Sequence, residues 1–308
     1  MIGLFMIGFI AGMAIPIQTS LNSKLGAFTK TKFNASAISF LVGTLSLIIL
    51  NLILNPHLFT WSFITTQHFS YIWFLGGILG VIFLTGNLIL LPKLGASLTV
   101  VATIVGQMVM GVVIDTYGFF GASKHPFTWI NTIGLLCLLF GVLLMHATPK
   151  NTRNHASAHI AIWLVVGFIF GFAPPIQTTV NSMLGQEIGA PIGASMISFL
   201  VGTIVLLLIC IFYAKSLRIH TSHPQFGKIK PTYFLGGILG VIFVTANIVL
   251  MPQLGAALTT VIGMLGMMVM GLLIDTFGWF GVPKRHVDAR RIIGLFIIVI
   301  GIILLRLV

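Results

Sequence analysis

The stretch FLGGILGVIF, residues 74–83, returns letter for letter at residues 234–243. Extended in both directions, residues 74–99 match residues 234–259 at 19 of 26 positions, including Asn87 with Asn247 and Pro92 with Pro252. The displacement is 160 residues, far longer than the period of a solenoid repeat. The chain therefore contains two copies of one half.

Shorter matches continue this duplication towards both ends of each half. Residues 38–44 recur at 197–203, and residues 114–116 recur at 274–276. The polar residues among the matches are Gln18 with Gln177, Asn22 with Asn181, and Asp115 with Asp275. We call two residues related in this way, at a displacement of 159 or 160, repeat mates.

The composition places the chain in a lipid bilayer. Hydrophobic residues make up 57% of it and charged residues 6%, and the mean hydropathy is +1.12. Soluble domains have about a quarter of charged residues. The net charge of +12 is expected in cytoplasmic loops rather than in a nucleic-acid-binding surface.

Ten apolar runs of about 20 residues are long enough to cross the hydrocarbon as helices. The predicted spans are 2–22, 33–54, 71–91, 94–118 and 128–147 in the first half, and 160–184, 190–213, 232–251, 254–278 and 291–307 in the second. We predict an all-α polytopic membrane protein with a first five-helix repeat (1–148), a linker (149–159) and a second five-helix repeat (160–308). Since five is odd, the second repeat enters the membrane upside down, which makes an inverted repeat.

The distribution of basic residues agrees with this count. The loops after spans one, three, five, seven and nine carry 14 of the 16 Lys and Arg residues, and the opposite face carries Lys124 and Arg306. Such a split is typical of the positive-inside bias. It predicts a multi-pass protein of the bacterial inner membrane with the basic face cytoplasmic and both termini outside.

Polar residues inside the spans are the candidate functional residues, because each needs a partner or a cavity in lipid. Gln18 and Asn22 follow Pro16 at a spacing of four, and Gln177 and Asn181 follow Pro175 in the same way. With Asn87 near one end and Asn247 near the other, inversion predicts two amide layers, one near each mouth of the bundle. We expect the layers to line and gate a central cavity opened by alternating access; the alternative is interhelical hydrogen bonding that only fixes the bundle.

Asp115 and Asp275 are near the C-terminal ends of spans four and nine, the unfavourable end for a negative charge. Lys124 in one half, and Lys284 and Arg285 in the other, are the expected ion-pair partners, and proton coupling is the alternative. An aspartyl protease needs two adjacent carboxylates. Inversion separates this pair by about the bilayer thickness of 30 Å, which argues against an enzyme.

Further polar residues indicate no cofactor or metal. Gln107 is mid-span, but its repeat mate is Met267, so the two halves differ chemically there. The His220–His223 and His155–His159 spacings lack cysteine or carboxylate support for a metal site. No phosphate-binding or nucleophile–base motif is present.

The motifs Pro16-Ile-Gln18-xxx-Asn22, Ile38-Ser-Phe-xx-Gly43-Thr44 and Asp115-xx-Gly118-xx-Gly121, with their second copies, resemble the YdcZ-like family of bacterial inner-membrane exporters. That family is grouped within the drug/metabolite transporter superfamily. The resemblance covers the whole chain as two tandem family domains. It implies a ten-helix fold with a central cavity and outward movement of small metabolites or drugs. The small multidrug members carry a glutamate in the first helix, which this chain lacks.

The sequence thus predicts a transporter whose partners are a small-molecule substrate and membrane lipids, with no nucleic acid. Because both halves are in one chain, we expect a monomer or a weak homodimer. A flippase of lipid-linked substrates and a non-transporting scaffold or channel are the alternatives.

Overall fold

The computed structural model describes residues 2–68, 70–146, 157–214, 219–224, 226–281 and 288–306. These residues are helical apart from short turns and one small hairpin. The helices are α1 (Ile2–Ala27), α2 (Lys32–Leu54), α3 (Trp61–Thr66), α4 (Ile72–Tyr117), α5 (Trp129–His146), α6 (Ser157–Phe170), α7 (Ala173–Glu187), α8 (Pro191–Ile209), α9 (Gly236–Phe277) and α10 (Ala289–Arg306). Strands β1 (Ser222–His223) and β2 (Gly227–Lys228) pair antiparallel.

Six stretches of the described chain are long and apolar enough to cross a membrane, and two shorter apolar helices accompany them. The six are Ile2–Ala27, Phe33–Leu54, Thr99–Tyr117, Ile160–Glu187, Pro191–Tyr213 and Pro231–Phe277, and the shorter two are Ile72–Asn87 and Trp129–Leu144. The predicted class, an all-helical polytopic membrane protein, is confirmed.

Helix α9 contains a break where spans eight and nine were predicted to be separate. Gly255 has φ 79° and ψ 169°, which is outside the helical region. Beyond Gly255 the chain folds back beside its first part. The contact that shows this is between Gly263 and Phe243: a Cβ on Gly263 would lie 3.2 Å from the Phe243 ring. In a straight helix these residues would be about 30 Å apart. We call 236–254 and 256–277 the first and second segments of α9.

Helix α4 is assigned as one helix of 46 residues, although spans three and four were predicted as two. Its parts nevertheless reach the same turn of α6. Gly86 lies against the Phe170 ring, and Gly106 lies against the Phe168 carbonyl. Twenty residues of straight helix could not make both contacts, so α4 also folds back on itself.

Span six was predicted as one span, and Ile160–Glu187 is one apolar stretch in the structure, but its helix is interrupted for two residues. Helix α6 ends at Phe170, and α7 begins at Ala173 with Pro174 and Pro175 in its first turn. Proline has no N–H to continue a helix but fits its first turn. By contrast, α1 continues through Pro16.

Repeat mates meet in the centre of the bundle, between α2 and α8. The Thr44 and Thr203 hydroxyl oxygens are 2.9 Å apart in a buried hydrogen bond. The Phe40 and Phe199 ring centroids are 5.0 Å apart. Since each of these pairs consists of equivalent residues, the two halves are related across this contact.

Helices α5 and α10 run antiparallel against each other. Gly134 contacts the Gly301 carbonyl and Gly141 contacts the Gly294 carbonyl, so the start of each helix meets the end of the other. Leu138 and Ile298, which are repeat mates, are buried in the same cluster.

The predicted linker and basic loop are only partly described. Residues 149–156 of the linker are outside the described residues, and α6 already begins at Ser157. In the loop 215–230, the His220 N–H donates to the Phe28 carbonyl at 2.8 Å, and Ile219 pairs with Thr29. The hairpin is therefore fixed to the end of α1.

Candidate functional site

The amides of α1 lie against glycines of the other half. Asn22 Oδ1 occupies the place that a Cβ on Gly236 would take, and Gln18 Nε2 is 2.6 Å from the position of a Cβ on Gly240. Gly236 and Gly240 belong to the second copy of the repeated stretch. Alanine at either glycine would therefore collide with an amide.

The amides of α7 make the equivalent contacts in the opposite direction. Asn181 Oδ1 lies against Gly76, and Gln177 Nε2 is 2.8 Å from the position of a Cβ on Gly80. These glycines belong to the first copy of the stretch. Each half thus packs its Gln and Asn on the repeated glycines of the other half.

Hydrogen bonding distinguishes the two sets of amides. Asn181 Nδ2 donates to Ser198 Oγ at 3.1 Å. The repeat mates of these residues are Asn22 and Ser39, whose Oδ1 and Oγ atoms are buried without a hydrogen-bond partner among the described residues. The two layers are therefore similar in sequence but different in bonding.

The remaining predicted amides are on α4 and α9. Asn87 Nδ2 donates to the Phe83 carbonyl one turn earlier in α4, at 3.1 Å. Asn247 Oδ1 is buried without a donor among the described residues and lies 4.0 Å from the position of a Cβ on Gly263. Gln107 is 7% exposed in α4.

Asp115 binds the turn inside α9. Its Oδ1 accepts from the Ala256 N–H at 2.7 Å, and its Oδ2 accepts from the Ala257 N–H at 2.8 Å. These are the first residues after the break at Gly255, so their N–H groups have no acceptor one turn earlier. Asp115 therefore caps the second segment of α9, and the predicted partner Lys124 is not the group that its carboxylate contacts.

Asp275 forms an ion pair with α10. Its Oδ2 is 3.1 Å from Nη1 of Arg291, and the two side chains are 28% and 27% exposed. The predicted partners Lys284 and Arg285 are outside the described residues. Asp115 and Asp275 thus make different contacts although they are repeat mates.

Two apolar grooves open between helices. The first, of about 530 Å³, is lined by Phe33, Thr85, Ile89, Leu208, Ile209, Phe212 and Tyr213. The second, of about 370 Å³, is lined by Ile17, Leu21, Thr232, Leu235, Ile238, Leu239 and Phe280. Neither groove is lined by any of the seven predicted amides.

Comparison with known proteins identifies the family of this chain. A family model described as "Putative inner membrane exporter, YdcZ" matches residues 3–144 and again residues 162–304. The chain belongs to this family. The YdcZ family is a drug/metabolite transporter family and not an enzyme family, and its description places the protein in the inner membrane.

A solved crystal structure has the same fold. The superposition covers 99% of this chain and 95% of the chain in that structure, with a TM-score of 0.66 and 13% sequence identity. No curated protein matches the chain. In the described part of the chain, no group of three or more His, Cys, Asp or Glu side chains could hold a metal ion.

Several residues of this YdcZ-family site were not predicted from the sequence. The Ser195 and Thr245 hydroxyl oxygens are 2.8 Å apart and join α8 to α9. Ser198 and the glycines of the repeated stretch were recognised only as recurring residues. Their signal was present in the duplication, because each recurs in both halves, but the partner helix of each residue follows only from the three-dimensional packing.

Proposed function

We propose that the chain is a transporter that exports a small metabolite or drug by alternating access. The family description supports export, and the substrate and mechanism are our proposal. We further propose ten membrane-spanning helices in two inverted five-helix repeats, 1–148 and 160–308. Spans three and four, and eight and nine, then correspond to the two parts of α4 and of α9.

The antiparallel contact of α5 with α10 supports the inversion. Equivalent helices that run in opposite directions require that one half is turned over relative to the other. The split of 14 basic residues to 2 supports the same arrangement, with both termini proposed to be outside.

The observation on which the proposal rests is the reciprocal packing of amides on glycines. Gln18 and Asn22 contact the second half, and Gln177 and Asn181 contact the first. In an inverted repeat these contacts are at opposite ends of the interface between the halves. Rocking one half against the other then separates one set while the other stays closed.

Unpartnered acceptors support a role in substrate binding. Asn22 Oδ1 and Asn247 Oδ1 are buried and accept no hydrogen bond from the described residues. Buried polar groups normally have a partner, so these two oxygens are suited to accept from a substrate donor. In the proposed central cavity, Gln107 and Asn87 supply further amides from α4.

Transport can be measured in proteoliposomes loaded with a mixture of amino acids, nucleosides and ethidium, with and without a proton gradient. We expect at least one class of solute to leave these proteoliposomes faster than it leaves equally loaded liposomes without the protein. Asn247→Ala and Asn87→Ala should each slow that exit while the protein remains folded and monodisperse. Loss of folding together with loss of transport would instead support a purely structural role for the amides.

Transport of a lipid-linked substrate is a second candidate, favoured by the first groove. That groove is apolar and is bordered by Phe212 and Tyr213, both 75% exposed, so it is open sideways to lipid. A fluorescent lipid in the inner leaflet of proteoliposomes should then become reducible by external dithionite. Protection equal to that in protein-free liposomes would exclude this candidate.

A further inference from the structure

Two side-chain hydrogen bonds at one end of the bundle have repeat-related counterparts that are not formed among the described residues at the other end. The first end contains Asp115 and the apolar cluster of Trp73, Leu184 and Ile188, with Phe120 packed against it. We call it the Asp115 end. The other contains the cluster of Leu21, Phe28 and Tyr233, with Phe280 packed against it, and we call it the Asp275 end.

Three polar contacts close the Asp115 end. Asn181 bonds to Ser198 at 3.1 Å, joining α7 to α8. Ser195 bonds to Thr245 at 2.8 Å, joining α8 to α9. Asp115 bonds to the N–H groups of Ala256 and Ala257, joining α4 to the turn of α9.

The repeat mates of these residues at the Asp275 end are bonded differently. Asn22 Oδ1 and Ser39 Oγ, the mates of the Asn181–Ser198 pair, are buried without partners in the described part of the chain. Thr85 Oγ1, the mate of Thr245, is also buried without a partner. Asp275 is paired with Arg291, whose mate in the first half is Asn131, so Asp115 has no equivalent cation.

The apolar grooves are on the same side as the unformed bonds. Thr85 lines the first groove together with Phe33 and Tyr213, and Phe280 lines the second with Leu21. Thr245, the repeat mate of the groove residue Thr85, is instead hydrogen-bonded to Ser195. For the Asn181–Ser198 and Ser195–Thr245 pairs, therefore, the Asp115 end is bonded while the repeat mates at the Asp275 end are not, and both grooves lie at the Asp275 end.

We propose that the protein alternates by exchanging these equivalent bonds between its two ends. In this structure the set at the Asp115 end is formed. In the opposite state Asn22 bonds to Ser39 and Thr85 bonds to Ser36. The inference rests on the inverted repeat of the proposed function and identifies its two gates.

The sequence duplication supplies matched reporters for the two gates. Tyr117 and Gln253 flank the Asp115 contact, and their mates Phe277 and Lys93 flank the Asp275 region. All four side chains are exposed. Spin labels at 117 and 253, or at 277 and 93, in a Cys137→Ser, Cys210→Ala background allow double electron–electron resonance in nanodiscs to measure each end separately.

We expect Ser198→Ala with Thr245→Val to open the Asp115 end. Two bonds of average strength for membrane helices change the population ratio by about eightfold. The 117–253 distances should lengthen and the 277–93 distances should shorten. The matched variant Ser39→Ala with Thr85→Val removes hydroxyls without partners in this state, so the 117–253 distances should stay short.

Two outcomes would overturn the exchange. One is an unchanged 117–253 distribution in the folded Ser198/Thr245 variant, and the other is the same lengthening in the Ser39/Thr85 variant. The distances are measured without a substrate. Failure to find transport would therefore count against the proposed function and would leave the gating result intact.

Discussion

Single glycines determine how closely the helices approach. A Cβ on Gly12 would overlap the Gly263 carbonyl, and a Cβ on Gly77 would lie 2.5 Å from the Ser198 carbonyl. In lipid, where helices gain little from the hydrophobic effect, such close backbone contact supplies much of the packing energy. Which helix each glycine faces was not predictable from sequence, because it depends on the three-dimensional packing.

Two glycines of α9 provide a matched test. A Cβ on Gly266 would overlap the Phe9 carbonyl of α1, whereas a Cβ on Gly271 meets no atom within 4 Å. Gly266→Ala should therefore destabilise the protein by about 1–3 kcal/mol through overpacking. Gly271→Ala should be neutral or stabilising, because alanine is the better helix former. Thermal unfolding in detergent measures both, and equal melting temperatures would contradict the packing.

The two repeat-related aspartates should differ in their contribution to stability. Asp115 is 9% exposed and accepts two backbone hydrogen bonds, so Asp115→Asn should cost about 1.5–3 kcal/mol. Asp275 is in a partly exposed ion pair, so Asp275→Asn should cost less than about 1 kcal/mol. Chemical unfolding in mixed micelles compares the two variants. If Asp275→Asn lowered the unfolding free energy more than Asp115→Asn does, the capping role assigned to Asp115 would be contradicted.

At the level of helices, the sequence predicted which stretches are helical better than it predicted where one helix ends and the next begins. The boundary between spans eight and nine was predicted beside Pro252, and the break is at Gly255. The separation of α6 from α7 was not predicted, since the apolar run continues through it without a polar gap. Asp115 as a cap for another helix could not be predicted, because capping across 141 residues depends on the fold.

Gly255 should be the residue on which the fold of α9 most depends. Its φ and ψ are accessible almost only to glycine, and a Cβ there would be 2.9 Å from Asp115 Oδ2. Gly255→Ala should lower the unfolding free energy by about 2 kcal/mol or more, combining backbone strain with loss of the cap. Gly121→Ala is the control, since its φ is 73° but no atom lies within 4 Å of its Cβ position. A Gly255→Ala effect no larger than the control would mean that the Asp115 contact is not disturbed.

At the scale of the whole molecule, the contact of Thr44 with Thr203 joins the halves through equivalent atoms. A double-mutant cycle with Thr44→Val and Thr203→Val should give a coupling energy of about 0.6 kcal/mol, the average for membrane helices. Apparent unfolding free energies of the four proteins yield this value. Additive effects would mean that the two hydroxyls do not interact.

The duplication itself was readable from sequence because the repeated stretch is nearly invariant between the copies. Identical residues in both halves predicted equivalent positions, and the central pairs Phe40–Phe199 and Thr44–Thr203 fit that expectation. Differences in sequence between the halves, such as Gln107 against Met267, were readable, but differences in hydrogen bonding between identical residues were not, because they depend on how the two halves pack.

The central claim is that the second half is turned over relative to the first. It is tested most directly by single cysteines at Lys124 and Lys284 in the Cys137→Ser, Cys210→Ala protein, labelled in intact bacteria with a membrane-impermeant maleimide. We predict that position 124 is labelled from outside and that position 284 is labelled only after the membrane is permeabilised. Labelling of both positions from the same side in intact cells would contradict the inverted repeat.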